Sequence, residues 1–167
     1  MTENVQNPDI KIHKADHTLQ RKVGAGPLDE KIVKRCQDVM DNNDVDFLPL
    51  AMEFLDKLEQ SIKNAEKNGE ISMKEAVQGM TTPVMQLKAN ASTFKYHLIG
   101  NLANVMLSFL ETVKKLDDDA ISIVSAHHQT LKAIILNKMA GDGGDVGRKM
   151  ENELKSACKR YFAKRNK

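Results

Sequence analysis

The sequence predicts an all-α protein: an antiparallel four-helix bundle with an additional N-terminal helix and a basic C-terminal helix. Three observations lead to this fold class. Apolar residues recur every three or four positions in successive segments, and strand-like alternation is absent. The 167 residues include no Trp and only 4% aromatic residues, so Leu, Ile, Val and Met must build the interior. There is no internal repeat and no low-complexity tract, which makes a single helical bundle the simplest architecture.

The first two helices follow from their apolar spacing and their end signals. From near Leu28, an apolar stripe that includes Cys36 predicts a helix ending at residues 41–44, and Cys36 is expected in the core. From about Asp46, a second stripe predicts a helix that stops at residues 67–70, with Gly69 as its cap.

The third helix has the spacing of a bundle seam. Its stripe consists of Val77, Met80, Val84, Leu87, Ala91 and Phe94. Pro83 lies inside the stripe and lacks the amide that would bond to residue 79, so we expect a kink there, or a restart of the helix capped by Thr82.

Three further helices complete the prediction. A double apolar stripe over about Lys95–Lys115 predicts the most buried helix, and the aspartates in 116–120 are suited to starting the next one. Residues 141–145, "GDGGD", end that helix, and a basic helix follows at about 146–164. The predicted domains are a flexible arm at 1–26, the bundle at 27–140, and a Gly-rich turn with the basic helix at 141–167.

The composition limits the classes of protein to which the chain can belong. Two cysteines are too few for a disulfide framework, and no run approaches the roughly 18 apolar residues of a membrane span. The start "MTENVQNPDIK" lacks a signal-peptide pattern, so we expect a cytoplasmic protein. The net charge is +2, but residues 145–167 hold eight Lys or Arg against three acids. The C-terminus is therefore electrostatically distinct.

The segment "PVMQLKANASTFKYHL", residues 83–98, resembles part of the histidine-containing phosphotransfer (HPt) domain. In small bacterial proteins of that family, His-x-x-Lys-Gly precedes a "TFGYPL"-like segment, and "SAHHQTLKAII" at 125–135 resembles their last bundle helix. The resemblance covers about residues 28–140. It places Met85 at the accepting His, Lys88 at the Lys and Ala89 at the Gly, and it places His97 where Pro is often found.

The resemblance implies an HPt-like bundle that has lost its chemistry, because a thioether cannot accept a phosphoryl group. The implied role is a non-enzymatic one in bacterial two-component or chemotaxis-like signalling, in which the protein binds response-regulator receiver domains without relaying phosphate. The residues expected to dock the receiver are Thr81, Met85, Lys88, Ala89 and Ser92. No cofactor is expected.

Two alternatives remain open. The chain could be a structural or assembly module that forms a homodimer through its apolar helices. It could also be a phosphatase for receiver aspartyl phosphate, since Glu75 and Gln78 have the spacing of an acid and an amide that could orient water on one helix face.

The remaining histidines, cysteines and tail cations give weaker indications of function. We expect His97 to be capping or partly buried, and only one of the adjacent His127 and His128 to face the core. Neither of that pair has a second ligand at helical spacing, so no metal site is predicted. Cys158 is expected to be an unreactive packed thiol. The tail cations Lys155, Lys159, Arg160, Lys164 and Arg165 could contact nucleic acid or anionic lipid, but packing on the bundle is the preferred role of the last helix.

Overall fold

The structure, a computed structural model, describes residues 17–24, 26–42, 45–67 and 72–165. Its helices are α1 (Thr18–Val23), α2 (Glu30–Asp41), α3 (Leu48–Lys67), α4 (Met73–Ala91), α5 (His97–Thr112), α6 (Asp118–Leu136) and α7 (Gly144–Arg165). No strand occurs in these described ranges, and the predicted all-α class is confirmed. None of the helices in them combines the length and apolarity that crossing a membrane requires.

The chain divides into two compact units, Met1–Asn42 and Asn43–Lys167. The first unit contains α1 and α2. Helix α1 lies within the range predicted to be an arm, of which residues 1–16 are outside the described part. Helix α2 begins at the N-cap Asp29, whose carboxylate accepts a hydrogen bond from the Lys31 amide at 2.9 Å.

Helix α2 buries none of its residues. Ile32 is 57% exposed and Val39 is 74% exposed, and Cys36 is also exposed. The expectation that Cys36 is a core residue is therefore wrong. The stripe that carries it does form one face of a helix, but periodicity specifies a face and does not specify what covers it.

The second unit is a closed ring of four helices with a fifth helix against it. Helix α3 contacts α4 and α6, and α5 contacts the same two helices. Helix α7 packs against α5 and α6. The single core cluster runs from Phe47 to Tyr161, so this unit builds its interior from α3 to α7.

Contacts near the helix ends give the helix directions. Ser61, late in α3, bonds to Gly79, early in α4, so these two helices are antiparallel. Arg165, at the end of α7, bonds to Asp117 at the start of α6, so that pair is antiparallel as well.

Helix α4 passes through Pro83 without interruption from Met73 to Ala91. The restart capped by Thr82 is not found: Ser72 is the N-cap, and the Thr82 hydroxyl donates to the Gln78 carbonyl at 3.0 Å. The Gly79 carbonyl, which the ring nitrogen of Pro83 cannot serve, lies 3.0 Å from Ser61 Oγ of α3 and shares that hydroxyl donor with the Lys57 carbonyl, also at 3.0 Å. A neighbouring helix thus supplies the donor that the proline removes.

The Gly-rich turn fixes the start of α5. Tyr96 gives no side-chain cap, and instead the Leu98 amide donates to the Gly141 carbonyl at 2.9 Å. Gly143 has φ +70° and lies so close to Leu98 that an added Cβ would be 2.5 Å from Leu98 Cδ2. Residues 141–145 were expected to end the preceding helix. Helix α6 in fact ends at Leu136, and the turn holds the beginnings of α5 and α7 together.

The bond between Ser61 and Gly79 gives the first prediction. We expect Ser61→Ala to lower the free energy of unfolding by about 1 kcal/mol, because a partly buried carbonyl loses its donor. In a Pro83→Ala background the new amide at 83 can bond to the Gly79 carbonyl, and the cost of Ser61→Ala should shrink. A chemical-denaturation double-mutant cycle measures this coupling, and an equal cost in both backgrounds would contradict it.

Candidate functional site

The candidate site is the outward side of α4, where the sequence placed a receiver-docking face. Met85 is 56% exposed, Lys88, Ala89 and Ser92 are also exposed, and Thr81 is half-buried. The opposite side of the helix is buried at four seam positions: Met80, Val84, Leu87 and Ala91. The five residues named from the sequence therefore share one accessible face.

The docking face combines a soft apolar group with one cation. Lys88 lies one turn beyond Met85 and makes no ion pair with any side chain in the described ranges. Glu75 is the only acidic residue of α4, and it lies in the first turn. The face can thus bury a flexible thioether against a partner and offer an ammonium group to an anion, and the thioether of Met85 cannot accept a phosphoryl group.

An aromatic cluster holds the chain just after this face. Phe94 stacks on Phe47 at a centroid distance of 4.6 Å, and Tyr96 lies 5.4 Å from the same ring. Between them Lys95 has φ +62°, a left-handed conformation that favours glycine. In the "TFGYPL"-like segment that residues 93–98 resemble, this position is Gly.

Glu75 and Gln78 are both engaged within α4 and its N-cap. The Glu75 carboxylate accepts hydrogen bonds from the Ser72 hydroxyl at 2.8 Å and the Ser72 amide at 3.1 Å, completing a capping box. These bonds lower the pKa of Glu75. Gln78 Nε2 donates to Thr82 Oγ1 at 3.1 Å. Each member of the pair therefore has a structural contact of its own within α4 or with its N-cap.

The histidines differ from expectation. His97 is exposed at the first position of α5 and is neither capping through its side chain nor partly buried. His127 and His128 are both buried, although only one was expected to face the core. Positions 100° apart can both be covered here because α6 contacts α3, α5 and α7.

Burial makes both α6 histidines hard to protonate. His127 Nδ1 lies 2.9 Å from the Ile123 carbonyl, while Nε2 of each ring is buried and has no hydrogen-bond partner among the described residues. Desolvation lowers the pKa of His127 against the bond to Ile123, and it lowers the pKa of His128 against the nearby Glu59. No group of three potential metal ligands occurs among the described residues.

Helix α7 docks on the bundle through Leu154, Cys158 and Tyr161, the packing role preferred from the sequence. Burial raises the pKa of the Cys158 thiol to about 11, which agrees with an unreactive packed cysteine. The thiol lies in an open groove between α5 and α7, of about 700 Å³, that Lys155 and Lys159 flank.

Several tail cations are paired with acids of the bundle. Arg165 bonds to Asp117 and Asp119 and covers the Tyr161 ring at 3.8 Å, and Lys164 bonds to Asp119 at 3.2 Å. Hydrogen bonds from Arg165 and Lys164 lower the pKa of Asp119. Lys155 pairs with Glu151. Lys159 and Arg160 make no ion pair with residues in the described ranges. The positive charge counted along the sequence is thus partly neutralised at the surface.

Sequence reasoning did not identify the aromatic cluster or the pairing of Arg165. The only available signals were the matching runs of acids at 117–119 and cations at 164–165, and the phenylalanine at 47. Comparison of the chain with protein-family models, with curated proteins and with solved structures finds no match.

The buried histidines predict that acid destabilises the protein before its carboxylates titrate. Each histidine has a folded-state pKa below its ordinary 6.5. Above that value both the folded and the unfolded chain are neutral at these sites. Below pH 6.5 the histidines of the unfolded chain bind protons, whereas those of the folded chain stay neutral. The free energy of unfolding therefore falls by up to about 1.4 kcal/mol per pH unit for each histidine.

Denaturation curves between pH 7.5 and 5 measure this slope. His127→Leu should reduce the slope whatever it does to the absolute stability. A free energy of unfolding that stays constant over this range would contradict the prediction.

Proposed function

We propose that this chain is a pseudo-phosphotransfer protein, which binds response-regulator receiver domains in bacterial two-component or chemotaxis-like signalling and does not relay phosphate. The docking face of α4 is the binding surface, and the protein acts in the cytoplasm. The observation that carries the proposal is the exposure of Met85, 56%, at the position that matches the accepting histidine of the HPt domain.

The proposal requires a side chain that is held outward by the fold, and α4 meets this requirement. The buried seam behind the face fixes the rotation of the helix, so position 85 is presented to solvent whatever residue occupies it. A phosphate-accepting imidazole needs the same placement, because it must reach an aspartyl phosphate on another protein.

Each neighbour of Met85 has a defined part in docking. Lys88 can neutralise phosphate on the receiver as a point charge. Ala89 and Ser92 are small, and they leave room for a partner loop beside the helix. Met85 supplies apolar contact area, and its unbranched thioether adapts to an irregular partner surface.

The left-handed Lys95 supports the resemblance on which the proposal rests. A backbone conformation that favours glycine occurs at the position where the HPt-type segment has glycine. The phosphatase alternative has less support, because the Glu75 carboxylate that would orient water is held by the N-cap of its own helix.

Titration with isolated receiver domains tests docking. We expect Met85→Glu to weaken binding by roughly tenfold or more, because docking would bury a carboxylate close to an acidic phosphorylation site. Met73→Glu is the matched control: this methionine is also exposed on α4, but it lies about 18 Å along the helix axis from Met85. Failure of the unmodified protein to bind any receiver from its own genome would refute the proposal.

Restoring the acceptor tests whether the surroundings still suit phosphotransfer. We expect Met85→His to gain a phosphoryl group from a phosphorylated receiver: a new bond forms between phosphorus and an imidazole nitrogen, and the receiver aspartate leaves as carboxylate. Radiolabel transfer measures this. The unmodified protein and a Met85→His, Lys88→Ala double variant are the controls, and the double variant should be labelled more slowly.

Measuring both phosphoryl transfer to Met85→His and receiver binding distinguishes two kinds of failure. Binding without transfer to Met85→His would keep the docking proposal and remove the likeness to a phosphotransfer site. Absence of both would remove the proposed function as a whole.

A further inference from the structure

The apolar face of α2 is left uncovered by the described residues of its own unit. The residues that form it are Ile32, Val33, Cys36, Val39 and Met40, and all five are exposed. On a helical projection they fall within an arc of about 120°, with Cys36 at its centre. Isolated helices of about 12 residues are marginal in water, because most helical stability comes from packing of an apolar face. Helix α2 therefore needs a partner to cover this face.

The charges beside the face have opposite signs on its two sides. Arg35 and Lys31 lie on the side of Val39, whereas Glu30 and Asp41 lie beyond Val33 on the other side. The remaining charges, Lys34 and Asp38, lie at the back of the helix, opposite the apolar face. Gln37 Nε2 donates to Asp41 Oδ1 at 3.0 Å, on the acidic side. A helix with one basic flank and one acidic flank can recognise a copy of itself.

The arrangement of these flanks selects a direction. When two identical helices pair side by side in parallel about a two-fold axis, the basic flank of each one meets the acidic flank of the other. When they pair antiparallel, basic meets basic and acidic meets acidic. Like charges across an interface disfavour association, and opposite charges favour it.

We infer that α2 is a dimerisation helix that pairs in parallel with α2 of a second copy of this chain. Cys36 of one copy then faces Cys36 of the other across the two-fold axis. Two helices of this length bury less than the roughly 1,200 Å² of a stable interface, so the dimer is weak and depends on concentration. The inference is independent of the proposed function, because it uses no residue of the docking face.

Cross-linking of the full chain tests the pairing and its direction. We expect oxidation to link Cys36 to Cys36 in a Cys158→Ser background, and mass measurement in solution to rise with protein concentration. In a further Cys36→Ser background, Ile32→Cys should cross-link in a parallel pair, since each Ile32 faces its own counterpart. In an antiparallel pair it would face a residue near Val39 and would not link.

Two control variants make the result specific. Lys34→Cys in the cysteine-free background lies opposite the apolar face and should give no cross-link. Arg35→Glu should weaken dimerisation by roughly tenfold at low salt, and adding Glu30→Arg should recover most of the loss. The substituted α2 positions are exposed, so each α2 variant should keep the helical signal of the Cys158→Ser protein from which it is made.

A protein that is monomeric at all concentrations and gives no Cys36 cross-link would overturn the inference. A cross-link from Cys36 without one from Ile32→Cys would overturn the parallel arrangement. Receiver binding in the same samples reports separately on the docking face.

Discussion

The burial of one side of α4 is the constraint on which the rest of the structure depends. Val84 and Leu87 are almost completely removed from solvent, and each such side chain stabilises the fold by about 1.5–3 kcal/mol. Rotating α4 enough to hide Met85 would expose this seam, at a cost comparable to the whole stability of a typical domain. The exposure of Met85 is thus a consequence of packing elsewhere on the same helix. For this reason the surface can change its chemistry while the fold stays the same.

Backbone groups that one helix leaves unpaired are satisfied by another part of the chain. Pro83 frees the Gly79 carbonyl, and Ser61 of α3 donates to it. Helix α5 starts without a side-chain cap, and the Gly141 carbonyl accepts the amide of Leu98. Both contacts join two different elements, so each also fixes the position of one element against another. The glycines at 143 and 147 allow this closeness, since a Cβ at either position would overlap Leu98.

Helices α2 to α7 and the orientation of α4 could be predicted from the sequence, because both depend on the spacing of apolar residues within one segment. The errors concern which faces other elements cover. Cys36 lies on an apolar stripe and is exposed, whereas His128 lies 100° from His127 and is buried. The number of neighbours around a helix decides both cases, and a single helix does not encode that number. Likewise the positive charge of α7 could be predicted from the sequence. Its partial neutralisation by Asp117 and Asp119 could not, because it depends on where α7 ends against α6.

In the proposed function, a docking face without an acceptor would separate receiver binding from phosphoryl transfer. Phosphotransfer needs a nucleophile at one atom, whereas docking needs area, shape and charge over a whole face. In the proposed function, Met85 at the position that matches the accepting histidine supplies no nucleophile but still provides contact area. Such a protein can alter a receiver's phosphorylation state only if it binds the two states with different affinity, since equal affinity shifts no equilibrium. Lys88 is the residue of this face that can supply the difference, because its charge interacts more strongly with a phosphorylated aspartate than with a free one. Without that difference, docking would sequester both states alike.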